Sequence, residues 1–501
     1  MKLQQLLASL NVAYQVFTSN NFADNHISAI VSNANFATKN SIFVGLLGAK
    51  FDGAVFSEQA VANGATVLLF DEKSNYNYQD LLNKHNIAVV VGDAKMLLSC
   101  LLPKFYCNLP KNLYAITGTN GKTSVVSYIC QILGLLQKKS ASIGTVGIQT
   151  NFSCNFTDNF LVTNLTTPDL ASLYHNLALL KQHQVDDVAI EASSIGLEQN
   201  RLANLPFSVG CFTNFSQDHL DYHGDMQNYF ASKMLLFKQL LKPNDFAILN
   251  ADIEQYTQIK EVCQNNNLSI STYGKNFADL QLLSFHNSQI TWQYQQNQYL
   301  ASFLPQGDFQ AYNFLCALLA VSKRYNISHQ QMQFIARNLA SITAPQGRMQ
   351  LVATLPNQAK IFIDFAHSPD GLLNVLTSAK KLSHHKLLVL FGCGGNRDAS
   401  KRPQMGKICS DLADLTIVTD DNPRLENASE IRQQILQGCN LAKTVEIANR
   451  QTAILQAIAM LQPNDILILA GKGHEKYQII GNQSLPFDEE QIVLNALKSY
   501  A

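Results

Sequence analysis

Short β-branched runs alternate with longer amphipathic stretches along nearly all of the 501-residue chain, and that alternation leaves few architectures open. Strands buried on both faces and joined by crossover helices satisfy it most simply, so the chain reads as α/β. Strand candidates include "SIFVGLL", "AVVVGD", "LYAITG", "DVAIEAS", "VGCFTNF", "DFAILNAD", "KIFIDFAH", "LLVLFGCG", "LTIVTDD" and "DILILAGKG". Many end in Gly, Asp, Asn or His, and open α/β sheets bind ligands at the carboxyl ends of their strands. Two breaks divide the chain: the proline-containing "LPKFYCNLPKN" from Leu102, and "TAPQGR" from Thr343 to Arg348. Between them, "LSFHNSQITWQYQQNQYLASFLPQGDF" reads as polar β-hairpin material, an excursion within the middle segment. The expected domains are residues 1–105, 106–345 and 346–501, because a chain this long exceeds one ordinary core.

Lys plus Arg equals Asp plus Glu at 37 each, so net charge advertises neither a nucleic-acid nor an anionic-membrane partner. The 10 cysteines include no C-x-x-C pair. They are expected to be reduced, buried thiols rather than a disulfide framework. The opening "MKLQQLLASLNVAYQVF" lacks the apolar run and cleavage pattern of a secretory signal. No stretch approaches the ~18 apolar residues of a membrane span. The cytoplasm is the expected setting.

"YAITGTNGKTSVV" passes from a strand through two glycines and a lysine into a helix. Gly118 and Gly121 let backbone N–H groups approach phosphate oxygens, Lys122 adds a point charge, and Thr123 offers a hydroxyl to Mg²⁺. The helix that follows brings its partial positive charge to the anion. The spacing G-T-N-G-K-T-S is two residues shorter than G-x-x-x-x-G-K-[ST], with Ile116 where the first glycine would stand. An ATP site is the expectation.

"DVAIEASSIGLEQNR" puts Glu191 at the end of a buried strand, where a carboxylate is expensive unless paired or on a metal. "TNFSQDHLDYHGD" then packs Asp218, His219, Asp221, His223 and Asp225 together. Cys211 with the two histidines fits no common zinc spacing, whereas Mg²⁺ beside a phosphate loop would take Glu191, with His219 as an unusual nitrogen ligand. In "NYFASKMLLFKQLL", Lys233 falls on the apolar stripe of Phe230, Met234, Phe237 and Leu241. Two readings stand there: an ammonium snorkelling to water, or a desolvated lysine with a lowered pKa, open to chemical modification. Further on, "FGCGGNRD" ends in a turn carrying Arg397. "VTDDNPRLE" offers Asp421, Asn422 and Arg424 on a turn stiffened by Pro423, and "LAGKGHEKY" brings Gly471, Lys472, His474 and Glu475 to a strand end. Two arginines plus acids could read a zwitterion, forks for the carboxylate and acids for the ammonium.

Nine of these segments stand in the order found in one family: "ITGTNGKTS", "EASSIGL", "TNFSQDHLDYHG", "ASK", "GDFQAYN", "GRM", "DFAHSPD", "DNPR" and "AGKGHE". The chain resembles the Mur ligases, the ATP-dependent amide-forming enzymes of peptidoglycan precursor synthesis. The resemblance implies three parts: a small N-terminal α/β uridine-side domain, a central P-loop ATPase-like parallel sheet, and a C-terminal Rossmann-like domain. Within the family, the pattern resembles the ligases that extend UDP-N-acetylmuramoyl-L-Ala-D-Glu. "DNPR" with Arg397 resembles the form using meso-2,6-diaminopimelate, whose second amino-acid end presents a carboxylate that lysine lacks.

Roles follow by resemblance. Gly118, Thr119, Asn120, Gly121, Lys122, Thr123 and Ser124 would hold the ATP phosphates, with Asn313, Arg348 and Asp364 on the nucleotide side. Lys122, Glu191, His219 and Lys233 would form the catalytic group. Thr123, Glu191, His219 and a carbamylated Lys233 would hold Mg²⁺. Thr166, Thr167, Ser193, Gln199 and Arg201 match positions contacting the UDP-sugar peptide, and Arg397, Asp421, Asn422, Pro423, Arg424, Gly471 and Glu475 match the diaminopimelate site. Departures are Ile195 in place of the family's histidine, Leu165 in place of an asparagine, and Asn33-Ala34-Asn35 in place of a uridine-side Asp-Ser-Arg; "IFVGLLGAKFDG" still resembles the stretch that follows. A monomer with small-molecule substrates is expected. The alternatives are a lysine-adding ligase of the same family, a folylpolyglutamate synthetase-like ligase, and a non-catalytic P-loop regulatory ATPase.

Overall fold

The computed structural model describes residues 1–8, 10–18, 25–48, 51–153, 159–383 and 385–498. The strands gather into three main sheets that follow one another along the chain. Parallel strands buried on both faces need near-continuous apolar runs. Asp187–Glu191, Leu387–Phe391 and Ile466–Ala470 are such runs, buried at every position.

The first sheet has strands Tyr14–Thr18, Ala88–Gly92, Val67–Asp71, Ile42–Gly45 and Ile30–Val31 in spatial order, with Tyr14–Thr18 antiparallel. In the second, six parallel strands lie in the order Ser269–Gly274, Phe246–Asn250, Phe207–Phe212, Asn112–Thr117, Asp187–Glu191 and Ser140–Gly144. Beside Ser269–Gly274 a seventh parallel strand, Leu280–His286, extends the sheet and antiparallel pairs follow it, while an antiparallel strand, Gly147–Thr150, closes the other edge. The segment expected as a hairpin excursion within the middle segment, Leu280–His286, Gln289–Tyr294 and Asn297–Ser302, continues the sheet directly. Its alternation explains why: Ile290, Trp292, Tyr294, Tyr299 and Ala301 face the central core while their neighbours face water. The third sheet runs Gln350–Thr354, Lys360–Asp364, Ile466–Ala470, Leu387–Phe391, Leu415–Val418 and Thr444–Glu446, parallel but for the first strand.

Strand order positions the site. Asn112–Thr117 has Asp187–Glu191 on one side and Phe207–Phe212 on the other, so the turns after all three open at one edge. In the third sheet the turns after Asp364, Phe391, Val418 and Ala470 likewise share an edge.

Two local expectations are adjusted. Pro103 lies inside the helix Ala94–Phe105, so the first break begins only after that helix. The lysine-bearing helix runs Met226–Leu235 and then widens into a π-turn over Leu236–Leu240. No disulfide joins the described cysteines; Cys107 is exposed, Cys100 and Cys439 are partly exposed, and Cys154 lies outside the described residues. Among the described residues, no helix is long and apolar enough to cross a membrane.

Candidate active site

The loop after Asn112–Thr117 enters the helix Lys122–Leu135 through Gly121, whose φ of 89° is left-handed. Side chains do not fit there: a Cβ on Gly121 would collide with the Asn313 amide, and one on Gly118 (φ 142°) with the Thr213 hydroxyl. No side chain caps this helix. Its first-turn N–H groups, which no helix can satisfy internally, therefore remain for an anion.

Two lysines converge on a single carbonyl. Lys122 Nζ donates to Gly118 O at 2.8 Å and Lys233 Nζ donates to the same oxygen at 2.9 Å. Lys233 is 1% exposed, which rules out snorkelling. Its ammonium lies 4.4 Å from the Tyr229 ring centroid. Burial, and then the neighbouring Lys122 charge, hold its pKa well below the usual lysine range; Asp218 opposes them. Lys122 is lowered too, by burial, with Glu191 and Asp218 pulling it back.

Glu191 is 1% exposed; its carboxylate accepts from Thr145 N at 2.8 Å and Thr145 Oγ1 at 3.1 Å. His219 begins the short helix Leu220–His223 in a left-handed conformation (φ 54°). Burial in the cleft pushes its imidazole down to about 4 despite Asp218, leaving a neutral ring although 38% of the side chain still faces the opening. Burial alone would raise Asp218; the hydrogen bond and charge of His367, with His219 and Lys401, hold it well below the carboxylate range instead. Two of these groups reach Asp218 from the third sheet: His367 Nε2 is 3.6 Å and Lys401 Nζ 3.9 Å from its carboxylate.

The third sheet closes the other wall. Arg348 donates to Thr123 Oγ1 at 2.9 Å and stacks 4.5 Å from the Phe365 ring centroid. Asn120 donates to Asp370 at 2.9 Å, Gln217 to Asp398 at 3.2 Å, and Arg397 pairs with Asp221 at 3.5 Å. Between the walls lies a cleft of about 820 Å³. A shallower depression of about 510 Å³ near Asp252 and Phe277 contains none of the expected residues.

Residues 116–321 match the Mur ligase middle domain and residues 347–473 match the Mur ligase glutamate ligase domain. The chain belongs to the Mur ligase family. A Rickettsia montanensis protein named UDP-N-acetylmuramoyl-L-alanyl-D-glutamate--2,6-diaminopimelate ligase is 39% identical over 488 residues, 95% of this chain and 97% of that one. A Brucella melitensis protein of the same name is 37% identical over 476 residues, 94% of each chain. A solved structure bearing that name superposes with TM-score 0.64 at 27% identity over 100% of this chain and 99% of its own.

Within this Mur ligase, the cleft is lined by Thr119, Asn120, Gly121, Lys122 and Thr123 of the loop; by Glu191, His219 and Lys233; by Thr166 and Ser193; by Arg348; and by Arg397, Asp421, Asn422, Arg424, Gly471 and Glu475. Gly118, Ser124, Asn313, Asp364, Thr167, Gln199, Arg201 and Pro423 are not part of the lining. Several of these support it. Thr167 Oγ1 donates to Glu191 O at 2.7 Å and accepts from Ser193 N at 3.0 Å; Arg201 bonds Thr167 O at 2.9 Å and Gln199 at 2.6 Å. Asp364 accepts from Met349 N at 2.6 Å and Ala366 N at 2.7 Å. On the first sheet, Asn33 caps its own turn by accepting from Asn35 N at 3.0 Å, and Asn35 accepts from Gln59 at 2.7 Å. Ala49 and Lys50 of the stretch after it lie outside the described residues.

Sequence reasoning left out Thr145 and Lys401, quoted His367 and Asp370 only within the "DFAHSPD" motif, and placed Lys472 at a strand end without a role. Asp225 takes a capping role, accepting from Asn228 N at 2.7 Å. Among the described residues, no three His, Cys, Asp or Glu side chains cluster as a metal site. A divalent cation at Glu191 and a neutral His219 would need further donors. The Thr123 hydroxyl and a carbamate on Lys233 fit that need chemically, as hard oxygen ligands.

Proposed function

We propose that this Mur ligase joins meso-2,6-diaminopimelate to UDP-N-acetylmuramoyl-L-alanyl-D-glutamate at the expense of ATP, in peptidoglycan precursor synthesis in the cytoplasm. The observation that carries the reading is one cleft holding the uncapped helix N-terminus with its two lysines on one wall and the Asp421–Arg424 and Gly471–Glu475 turns on the other. Relatives sharing 39% identity over 95% of the chain carry that activity in their names.

An oxygen of the D-Glu side-chain carboxylate attacks the γ-phosphorus of ATP; the bond to the β-phosphate oxygen breaks and ADP leaves, giving an acyl phosphate. Lys122 and the first-turn N–H groups stabilise the charge spread over the phosphoryl oxygens. The diaminopimelate amine, as its free base, then attacks the acyl carbon, the C–O bond to phosphate breaks, and the amine proton departs. No protein nucleophile is needed. Mg²⁺ held by Thr123, Glu191 and His219 would neutralise phosphate charge when bound. Lys233, its pKa lowered well below the usual lysine range by burial, is suited to attack CO₂ as its free amine: an N–C bond forms, one N–H proton leaves, and the side chain becomes an anionic ligand for that site. Arg397 and Arg424 would fork the distant carboxylate, and Asp421 and Glu475 would face the ammonium.

A folylpolyglutamate synthase of Mycobacterium tuberculosis shares the fold (TM-score 0.60, 17% identity, 75% of this chain). A shared fold does not choose the acceptor; the "DNPR" and "GKGHE" turns in the cleft wall favour diaminopimelate. The mechanism is tested with ¹⁸O in the D-Glu side-chain carboxylate: one label should leave in inorganic phosphate. Phosphate free of label would exclude the acyl phosphate.

A further inference from the structure

Lys472 has no role in the account above, yet it is 0% exposed and lies directly behind the acceptor wall of the cleft. Its Nζ donates to Asn422 Oδ1 at 2.9 Å and Tyr477 O at 2.8 Å, and lies 3.7 Å from both Asp421 Oδ1 and Glu475 Oε2. Asn422, Asp421, Glu475 and Tyr477 all line the cleft; Lys472 does not.

The Asn422 amide has a single workable orientation. Its Oδ1 accepts from Lys472 and also from Ile479 N at 2.9 Å, while its Nδ2 donates to Glu475 Oε2 at 2.9 Å. A flip would set an NH₂ group against two donors and an oxygen against a carboxylate. Lys472 is therefore both the pin of that amide and the buried counter-charge to two carboxylates.

We propose that Lys472 is the positioning residue of the acceptor pocket: from behind the wall it fixes the Asn422 amide and holds Glu475 as an oriented carboxylate for the ammonium of an amino-acid acceptor. This rests on the acceptor reading above. The charged and titratable groups that face Glu475 are Lys472, Asp421, Arg424, Arg450, Tyr477 and His367. Burial, then Asp421, push the Glu475 carboxyl up, and Lys472 and the Asn422 amide draw it back. Without the Lys472 charge the carboxyl rises further and protonates at a higher pH.

The test is steady-state ADP formation against pH in wild type, Lys472→Met, Glu475→Gln and the double variant, using whichever amine supports turnover. Lys472→Met should raise the acceptor KM by about tenfold or more with little change in the KM for ATP. It should also move the acid limb of kcat/KM for the acceptor up by about one pH unit. Glu475→Gln should abolish that limb, alone and in the double variant. An unchanged acceptor KM and limb in Lys472→Met would overturn the inference. So would a wild-type limb surviving in Glu475→Gln, which does not depend on Lys472→Met folding. Wild-type turnover indifferent to every amine would remove the acceptor reading and the inference together.

Discussion

At Gly118, two lysine Nζ atoms share one carbonyl oxygen, and burial lowers the pKa of both. Lys233 is the more deeply buried of the two, and burial, with the Lys122 charge, takes it well below the usual lysine range, while Lys122 is half-buried. Burial acts on His474 in the same way. Its ring packs 5.1 Å from Phe365, its Nδ1 is buried without a partner, and burial with the Arg348 charge pushes it down to about 4. The folded state then binds fewer protons than the unfolded state, whose histidine titrates near ~6.5. Stability from this group is therefore present above about 6.5 and lost as pH falls toward 4. Denaturant melts at pH 7 and 5 should show a smaller acid loss in His474→Gln than in wild type; parallel losses would contradict it. Lys233 was legible as a charge on an apolar stripe, but spacing left snorkelling and burial both open, and only the packing around it decides for burial. Thr145, which grips Glu191, was not: it follows a strand with no motif to mark it, and only strand order brings it there.

Between elements, a tight constraint lies where Ser140–Gly144 meets Asp187–Glu191. Ile143 lies opposite Ile190, so Gly144 comes beside Glu191, and a Cβ on it would collide with the carboxylate. Gly144→Ala should cost roughly 1–3 kcal/mol of stability and reduce ATP turnover by displacing Glu191. A melting scan and an ADP assay check both, and unimpaired turnover would mean that Glu191's position is not critical. The parallel strands were readable because burial on both faces demands unbroken apolar runs. The hairpin strands were readable as strands but not as part of the central sheet. Their alternation shows one buried face without showing which sheet receives it. The π-turn after Leu235 left no mark in the apolar spacing.

Across the whole molecule, the site exists only because the second and third sheets meet. Arg348 on Thr123, Asp370 on Asn120 and Asp398 on Gln217 bridge segments 181 or more residues apart. Such long polar contacts are invisible to local pattern, so Lys401 was not singled out and the contact of Asp370, though inside the quoted "DFAHSPD", was not foreseen, whereas the contiguous turns were. Closure of the third unit over ATP is expected to gate the reaction. An unhydrolysable ATP analogue should compact the protein in small-angle scattering, and an unchanged radius of gyration would contradict that gating. The central claim is that the loop activates one carboxylate for one amine. Its most direct test is ADP formation from UDP-N-acetylmuramoyl-L-Ala-D-Glu with meso-diaminopimelate, L-lysine or no amine, in wild type and Arg424→Ala. Turnover should require diaminopimelate and be largely lost in the variant. Equal rates with lysine, or turnover without any amine, would contradict that claim.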